Sequence, residues 1–450
     1  MLKKEKITKK ITKNFGLIVA TLLLVFFVIN NIPKKATTDS TVSPFLNGEN
    51  EANEIVVISD IHLGADLAYA ETKHNLGPLE KMLNEIKKSA NVKELVIAGD
   101  LFDEWFVPAN IDTYQGKDQA DFMNRIAIAN KGVIGALNSI IKQGNILVTY
   151  IPGNHDLTIT AENVEKILPG IKQARQGMQG LGTYIPVDYP KIAIEHGHRY
   201  NFFCAPDPIS NQQVAPGTIL PPGYFFTRIA ALHIAQNPVI PGDTPPEIPK
   251  EHIETVSQDL LYKYWKGWYQ SLKMFTIKNK FDEKIIVTNI DGFKGNYAVN
   301  DILPYQNSPA KVAYVNLYNG IQDNWKRRQE LNNVPVEISA DQAIDNASKT
   351  SESDFQAKNQ YFLNRDSNKR IVVFGHTHDA KIIASDNYNG EKSIYANSGT
   401  WIDENNVAST TMNFVIITPQ NNNTSSETFV RLYRYNNGAP VMMGQDSLRY

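Results

Sequence analysis

The chain has 450 residues, of which 42% are hydrophobic and 20% are charged, and its formal net charge is −2. This length exceeds that of an ordinary compact domain, so we expect either one large domain with insertions or two domains. The nearly neutral charge provides no basic field of the kind that attracts nucleic acid, and no nucleic acid partner is expected. The single cysteine, Cys204, excludes a framework of intrachain disulfides.

The N-terminus combines a basic segment with an apolar one. Residues 1–14 are rich in lysine, and residues 15–32 (FGLIVATLLLVFFVINNI) contain no charged residue. The apolar run is long enough for a short transmembrane helix, and the preceding lysines favour a cytoplasmic N-terminus. We therefore expect a single-pass membrane anchor with the rest of the chain extracytoplasmic; a cleaved signal segment and export are the alternative. Residues 33–53 are polar and predict a linker.

Strand-like and helical patterns alternate from residue 54 onward. In chain order they predict a strand at 54–59, a helix at 76–90, a strand at 94–99, a helical segment at 120–142 and a strand at 145–151. Such an alternation implies right-handed crossovers and a parallel sheet covered by helices. The expected fold class is therefore α/β (α+β in some schemes).

The regular alternation stops after a strand-like run at 191–196. Residues 199–369 are rich in proline, asparagine and aromatic residues, and we interpret them as a large inserted region resembling a cap. Strand-like runs then return at 370–378, 392–398, 411–418 and 427–435.

One segment of the insertion, 260–275, has helical spacing. Its apolar face carries Leu261, Tyr264, Trp265 and Trp268. These side chains could line a cap that binds a lipid or a glycan, or they could form the core of the insertion itself, which is the more common use of buried aromatic residues.

Polar side chains follow five of the predicted strands directly. The motifs are SDIHLG with Asp60 and His62, AGDLFDEW with Asp100 and Asp103, PGNHD with Asn154 and His155, EHGHRY with His196 and His198, and FGHTHD with His376 and His378. Six of the nine histidines lie in these motifs. Ligand sites in α/β sheets gather beyond the carboxyl ends of the strands, so these side chains should converge. Imidazole and carboxylate groups in this number predict a site for two metal ions.

The order of these motifs resembles that of the calcineurin-like metallophosphoesterases over residues 54–200 and 370–435. The resemblance implies a four-layer fold in residues 54–450, a two-sheet β-sandwich flanked by helices, with 199–369 inserted. It also implies hydrolysis of a phosphomonoester, phosphodiester or pyrophosphate bond by a hydroxide that bridges two divalent ions. Manganese is the ion we expect first, and iron, zinc or magnesium also suit parts of this ligand set.

The resemblance assigns a role to each motif residue. One ion would be held by Asp60, His62 and His378, the other by Asn154, His196 and His376, and Asp100 would bridge both. His155 matches the catalytic histidine of the family, which contacts the substrate phosphate. Asp103 has the spacing of the aspartate that orients this histidine in the Ser/Thr phosphatase branch, although an ordinary loop carboxylate explains it equally well.

Four further motif residues have less defined roles. We expect Asp156 to stabilise a turn or to support the ligands, and His198 to contact substrate or support a ligand rather than bind metal itself. Asn397 and Gly399, in NSGTW, resemble the turn that follows the last histidine pair of the family and are expected to be structural.

The stretch GDLFDEW also looks like that of the UDP-diacylglucosamine pyrophosphatases, which act on a lipid at a membrane. The chain departs from that subgroup at His155, where the subgroup typically has arginine, and also in its length and its N-terminal segment. The substrate therefore stays open between lipid-linked and nucleotide-type phosphate esters, and the oligomeric state stays open as well.

Two other functions explain fewer of the motif residues than a metal-dependent phosphoesterase does. A catalytically silent metal-binding scaffold of the same fold would usually lack a ligand or the histidine of GNHD, and every position is filled here. A protein Ser/Thr phosphatase would carry GNHE and phosphate-binding arginines near the metal motifs. The complete motif set favours a metal-dependent enzyme.

Overall fold

The structure is a computed structural model. It describes residues 43–45, 52–249, 255–306, 312–347, 349–420 and 426–450. The predicted anchor at 15–32 lies outside the described residues, as do the basic segment 1–14 and most of the predicted linker. Among the helices of the described part of the chain, none is both long and apolar enough to cross a membrane.

The larger of two main sheets has seven strands. In spatial order they are β16 (Ala439–Leu448), β15 (Thr428–Asn436), β14 (Asn413–Thr418), β1 (Glu54–Ile58), β2 (Val92–Ala98), β3 (Leu147–Ile151) and β4 (Lys172–Gln173). Strands β1 to β4 are parallel, as the alternating pattern predicted. The C-terminal strands β14, β15 and β16 extend the sheet in antiparallel order, so the complete sheet is mixed.

The second sheet has five strands and packs face to face on the first. In spatial order they are β12 (Lys381–Asp386), β13 (Lys392–Asn397), β11 (Ile371–Phe374), β6 (Ile192–Glu195) and β5 (Thr183–Tyr184). The central strands β13, β11 and β6 are parallel. Apolar side chains of both sheets form one buried cluster that includes Val57, Val96, Ile194 and Val373. The two sheets therefore form a sandwich with its own core.

Helices cover the outer face of each sheet. Those on the larger sheet are α1 (Leu76–Lys87), α2 (Gln119–Ala129), α3 (Lys131–Gln143) and α4 (Ala161–Ile167). On the second sheet, α10 (Glu352–Ala357) and the π-helical turn Lys358–Phe362 pack against Val372 and Phe374. This helix–sheet–sheet–helix order agrees with the predicted four-layer fold.

The segment 120–142, which was predicted as one helical pattern, forms two helices that break at Asn130. The side-chain amide of Asn130 donates to the carbonyl oxygens of Gly64 and Ile126, each at 2.9 Å. An asparagine that bonds locally to the backbone competes with helix continuation, which explains why periodicity alone failed here.

The insertion contains more regular structure than its sequence predicted. Its elements are α5 (Pro222–Gln236), α6 (Val256–Met274), β7 (Ile286–Ile290), β8 (Phe293–Tyr297), α7 (Val299–Ile302), β9 (Tyr305–Gln306), β10 (Ala313–Tyr314), α8 (Trp325–Leu331) and α9 (Ala340–Asn346). The buried guanidinium of Arg228 on α5 donates to the carbonyl oxygens of Val107, Ala109 and Ile111. This arginine ties the insertion to the loop that follows Asp103.

The aromatic face of α6 forms part of the core. Leu261, Tyr264, Trp265 and Trp268 are at most 4% exposed. The ring of Trp268 stacks on that of Phe226 with centroids 3.5 Å apart. The alternative in which these residues form the core of the insertion is therefore correct, and they do not line an open cap.

Candidate metal centre

The polar motifs meet where strands of both sheets end. Asp60 follows β1, Asp100 follows β2, Asn154 follows β3, His196 follows β6 and His376 follows β11. Side-chain contacts of 3.7 Å or less, together with the backbone N–H of His376 bonded to Asp60, connect all nine predicted site residues into one buried cluster. The convergence expected at the carboxyl ends of the strands is thus observed.

The backbone is strained at the residues that turn into this cluster. The residues with left-handed φ angles, between 51° and 71°, include Asp60, His62, Asp100, His376 and His378. This conformation costs free energy for residues other than glycine, and such strain is concentrated at functional sites. Each turn redirects the chain immediately after its strand and holds a motif side chain in the cluster.

Two motif glycines allow the backbone to approach the site closely. A Cβ atom at Gly99, where φ is 89°, would overlap the ring of His196, and one at Gly153 would overlap the carboxylate of Asp100. The glycines of GD and GNHD are therefore required because no side chain fits between the strand ends and the cluster.

The first predicted ligand group centres on Asp60. Its Oδ1 lies 3.0 Å from Nε2 of His378, and Nε2 of His62 lies 3.7 Å from Oδ2 of Asp100. The backbone N–H of His376 donates to Asp60 at 3.1 Å. Burial opposes ionisation of Asp60, but His378 and His196 outweigh it and hold its pKa below the usual value, so the carboxylate is charged.

The second predicted group surrounds Asn154. Its Oδ1 lies 3.0 Å from Nε2 of His196 and 2.9 Å from Nδ1 of His376. Nε2 of His196 is also 3.1 Å from Oδ2 of Asp100. Nδ1 of His196 lies 2.9 Å from the carbonyl oxygen of Ala98, which can only accept, so Nδ1 carries the proton of the neutral ring.

This tautomer leaves three acceptor atoms facing each other. They are Nε2 of His196, Oδ1 of Asn154 and Oδ2 of Asp100. Lone pairs at such distances repel unless a proton or a metal ion lies between them, and donor atoms bound to one ion at about 2.1 Å are about 3 Å apart. The observed spacings of 3.0 and 3.1 Å match that geometry, so the residues fit a bound metal ion.

The raised pKa values of His196 and His62 also indicate that the surrounding carboxylates favour a positive charge in this cluster. Burial opposes protonation of His196, but Asp100 and Asp60 outweigh it and raise its pKa to about 9. Burial likewise opposes protonation of His62, but Glu71, Asp103 and Asp100 raise its pKa to about 10. A divalent ion would supply this charge in place of the protons, because metal and protons compete for the same lone pairs.

His155 and Asp103 form a pair beside these ligands. Nδ1 of His155 lies 2.9 Å from Oδ1 of Asp103, which also accepts from the backbone N–H groups of Trp105 and Phe106. The indole of Trp105 stacks on the imidazole with centroids 4.9 Å apart. Of the two interpretations of Asp103, this geometry fits the one in which it orients His155.

Asp156 and His198 support the cluster from outside it. The carboxylate of Asp156 accepts from the backbone N–H groups of Gly153, Leu101 and Phe102 at 2.6, 2.9 and 3.2 Å, which fixes the turn around GNHD. Nε2 of His198 donates to the carbonyl oxygen of Gly180 at 2.9 Å, so this ring is held by the backbone.

Asn397 and Gly399 shape the last histidine turn. The amide of Asn397 donates to the carbonyl oxygen of Gly375 at 2.6 Å and to Oγ1 of Thr377 at 3.0 Å. Gly399 has a left-handed φ of 72° and donates to Oδ1 of Asn397. These contacts are those of structural residues.

Glu71 is a site residue that the sequence reasoning missed. Its Oε2 lies 3.4 Å from Nδ1 of His62. Together with His62, Asp103 and His155 it forms a group whose ligand atoms all lie within 4.8 Å of one another. Glu71 belongs to no motif and follows no strand, so only its tertiary position reveals it.

Comparison with known proteins places these observations in a family. The sequence profile of the calcineurin-like phosphoesterases matches residues 54–282, about half of the chain. No curated protein sequence gives a significant match. Among solved structures, a single mutant of Vps29 from Entamoeba histolytica aligns with a TM-score of 0.25 and 9% identity. The alignment covers 88% of this chain and 99% of that one. This similarity is too weak to support any argument. The profile match, together with the converging aspartates, asparagine and histidines, shows that the chain belongs to the calcineurin-like phosphoesterase family.

Proposed function

We propose that the chain is a dinuclear metal-dependent phosphoesterase. The observation that carries the proposal is that two buried oxygen atoms, Oδ2 of Asp100 and Oδ1 of Asn154, lie within 3.1 Å of Nε2 of His196, at the spacing of atoms that bind one ion. The residues that would hold the two ions are Asp60, His62 and His378 on one side and Asn154, His196 and His376 on the other, with Asp100 shared.

The remaining chemistry falls to His155. Two divalent ions in this site would activate water as a nucleophile and neutralise negative charge on the phosphoryl oxygens. Since Nδ1 of His155 is engaged by Asp103, Nε2 is the ring nitrogen left for substrate. Burial opposes protonation of His155, but Asp103 outweighs it and raises the pKa of the ring. A protonated His155 can contact the phosphate and donate a proton to the leaving oxygen.

The proposal also concerns which metal ions the site binds and which type of phosphate bond it hydrolyses. Manganese is our first candidate, followed by iron, zinc and magnesium, because mixed nitrogen and oxygen ligands suit all of these ions in part. Monoesters, diesters and pyrophosphates are all candidate substrates, and the resemblance of GDLFDEW adds lipid-linked and nucleotide-type pyrophosphates to those worth testing.

We also propose that residues 15–32 anchor the chain in a membrane with the enzyme domain outside the cytoplasm. The support is the lysine-rich segment before an uncharged run of 18 residues. Protease added to intact cells should digest the domain without lysis. A domain that is digested only after lysis would contradict this topology.

Hydrolysis by the detergent-solubilised full chain tests the enzymatic proposal. The protein is stripped with a chelator, refilled with manganese, iron, zinc or magnesium, and assayed with a chromogenic monoester, a chromogenic diester and a nucleotide-sugar pyrophosphate. We expect metal-dependent turnover of one class. Two bound ions without turnover of any class would favour a silent scaffold, and absence of metal binding would contradict the proposal.

A further inference from the structure

Glu71 is directed at a predicted metal ligand from outside the family motifs. It lies in residues 65–75, which follow the SDIHLG motif in the connection between β1 and α1. The side chain of Glu71 is only 7% exposed. Its Oε2 is buried, has no hydrogen-bond partner among the described residues, and lies 3.4 Å from Nδ1 of His62. An unpartnered buried carboxylate oxygen is costly, so its position beside His62 calls for a role.

The loop is fixed firmly enough to position this carboxylate. The carboxylate of Asp403 accepts from the consecutive backbone N–H groups of Lys73, His74 and Asn75 at 2.9 to 3.0 Å. The hydroxyl of Thr72 donates to the carbonyl oxygen of Ile61 at 2.6 Å. Glu71 directly precedes these anchored residues, and its own carbonyl oxygen accepts from the backbone N–H of Asp403 at 2.9 Å.

The imidazole of His62 faces carboxylates at both ring nitrogens. Nδ1 lies 3.2 Å from Oδ2 of Asp103 and 3.4 Å from Oε2 of Glu71, whereas Nε2 has no hydrogen-bond partner among the described residues. The hydrogen bond to Asp103 and the nearby carboxylate of Glu71 favour the tautomer that carries its proton at Nδ1. Nε2 is then the nitrogen left with a free lone pair, as a metal ligand requires.

Asp103 is shared among several donors, so the orientation of His62 depends on a carboxylate that also holds His155. Its Oδ1 already accepts from His155, Trp105 and Phe106, and only Oδ2 faces His62. We propose that Glu71 is a positioning residue that holds His62 in the Nδ1-protonated orientation for the first metal ion. Asp103 is then able to orient His155. This inference rests on the proposed dinuclear function.

The side chains of His62, Glu71, Asp103 and His155 lie close enough together to suggest a third metal site, but their hydrogen bonds argue against one. Nδ1 of His62 and Nδ1 of His155 both lie within 3.2 Å of Asp103, and each is the nitrogen that donates to it. An ion at this place would have to displace both hydrogen bonds. A third bound ion is nevertheless an outcome that the experiment can detect.

Metal titration of the metal-free full chain tests the role of Glu71. We compare wild type with Glu71→Ala, Glu71→Gln and the exposed control Glu404→Ala, using manganese and isothermal calorimetry. Glu71→Ala should weaken one of the two sites about 10- to 100-fold and leave the other unchanged, because that is the usual effect of removing a partner of a metal-bound histidine. Its melting temperature without metal should equal that of the control. Glu71→Gln should restore part of the affinity, since its amide oxygen can occupy the position of Oε2 beside Nδ1 of His62.

Three results would overturn the inference. They are unchanged affinity of both sites in Glu71→Ala, equal loss at both sites with a lower melting temperature, and a third ion that wild type binds and Glu71→Ala does not. In each of these cases wild type still binds its two ions and the proposed function stands. Wild type that binds no manganese, iron, zinc or magnesium would overturn the proposed function and this inference together.

Discussion

Two contacts hold the His155 ring beside the predicted metal ligands rather than among them. Asp103 holds its Nδ1 and Trp105 stacks on its ring, while the predicted ligands make their own contacts. We therefore expect His155→Ala to keep two ions per chain and to lower kcat about 10²- to 10⁴-fold, the usual contribution of a general acid. Elemental analysis and steady-state kinetics provide both readouts. The exposed His74→Ala is the matched control, and loss of metal in His155→Ala would show that the ring is a ligand instead.

Glu352, which belongs to none of the motifs, is a buried acid whose ionisation should make stability depend on pH. Burial raises its pKa to about 8, although a hydrogen bond from Asn201 at 2.6 Å favours the charged form. The folded chain holds this proton, whereas the unfolded chain releases it near the ordinary value of 4.5. Its contribution to stability is thus complete below that value and is lost as the pH rises toward 8.

Glu352→Gln removes this ionisation while keeping the size of the side chain. The free energy of unfolding of wild type, relative to the variant, should fall by about 1.4 kcal/mol per pH unit between pH ~5 and ~8. Urea unfolding of the metal-free protein at several pH values measures it. A difference that stays constant across that interval would show that Glu352 is ionised in the folded chain.

The residues of the site were predictable to the extent that they end strands. Asp60, Asp100 and Asn154 each follow a short apolar run. The end of a strand can be predicted from sequence because the continuous apolar pattern stops there. Glu71 was missed because it lies in an irregular loop, where position depends on distant contacts such as those of Asp403. Residue type and spacing contain no information about such contacts.

At the scale of elements, strands buried on both faces were the best predicted. The runs at 54–59, 94–99 and 145–151 differ from β1, β2 and β3 by at most two residues at either end. Continuous apolar runs of this length are typical of central parallel strands. β16 was missed because its sequence, APVMMGQDSL, is half exposed and obtains its register from pairing with β15.

The helix α6 shows what holds the insertion together. Trp268 is fully buried and stacks on Phe226 of α5. Trp268→Ala should lower the free energy of unfolding by about 3–5 kcal/mol, the range for removing a large buried aromatic ring, without changing metal stoichiometry. Urea unfolding monitored by circular dichroism measures this, and Lys266→Ala on the exposed face of α6 is the control. Equal stability of the two variants would contradict a core role for α6.

At the scale of the whole molecule, the site is assembled from both ends of the described chain. The backbone N–H of His376 donates to Asp60, and β11 pairs with β6 although the whole insertion separates them. Strand pairing over such distances could not be derived from periodicity, and the sandwich was expected only because the motifs resemble those of a known family. The insertion contacts this assembly through Arg228, whose acceptors lie just beyond the site loop.

Asp100 belongs to both predicted metal groups, so it offers the most direct test of the central claim. Its Oδ2 lies 3.1 Å from His196 and 3.7 Å from His62, and these histidines hold its pKa well below the usual value despite its burial. The decisive measurement is the metal content and turnover of wild type and Asp100→Asn after refilling with manganese, with the exposed Asp282→Asn as control. We predict two ions per wild-type chain, and loss of metal together with loss of turnover in Asp100→Asn alone. An Asp100→Asn variant that keeps two ions and full turnover would contradict the dinuclear assignment.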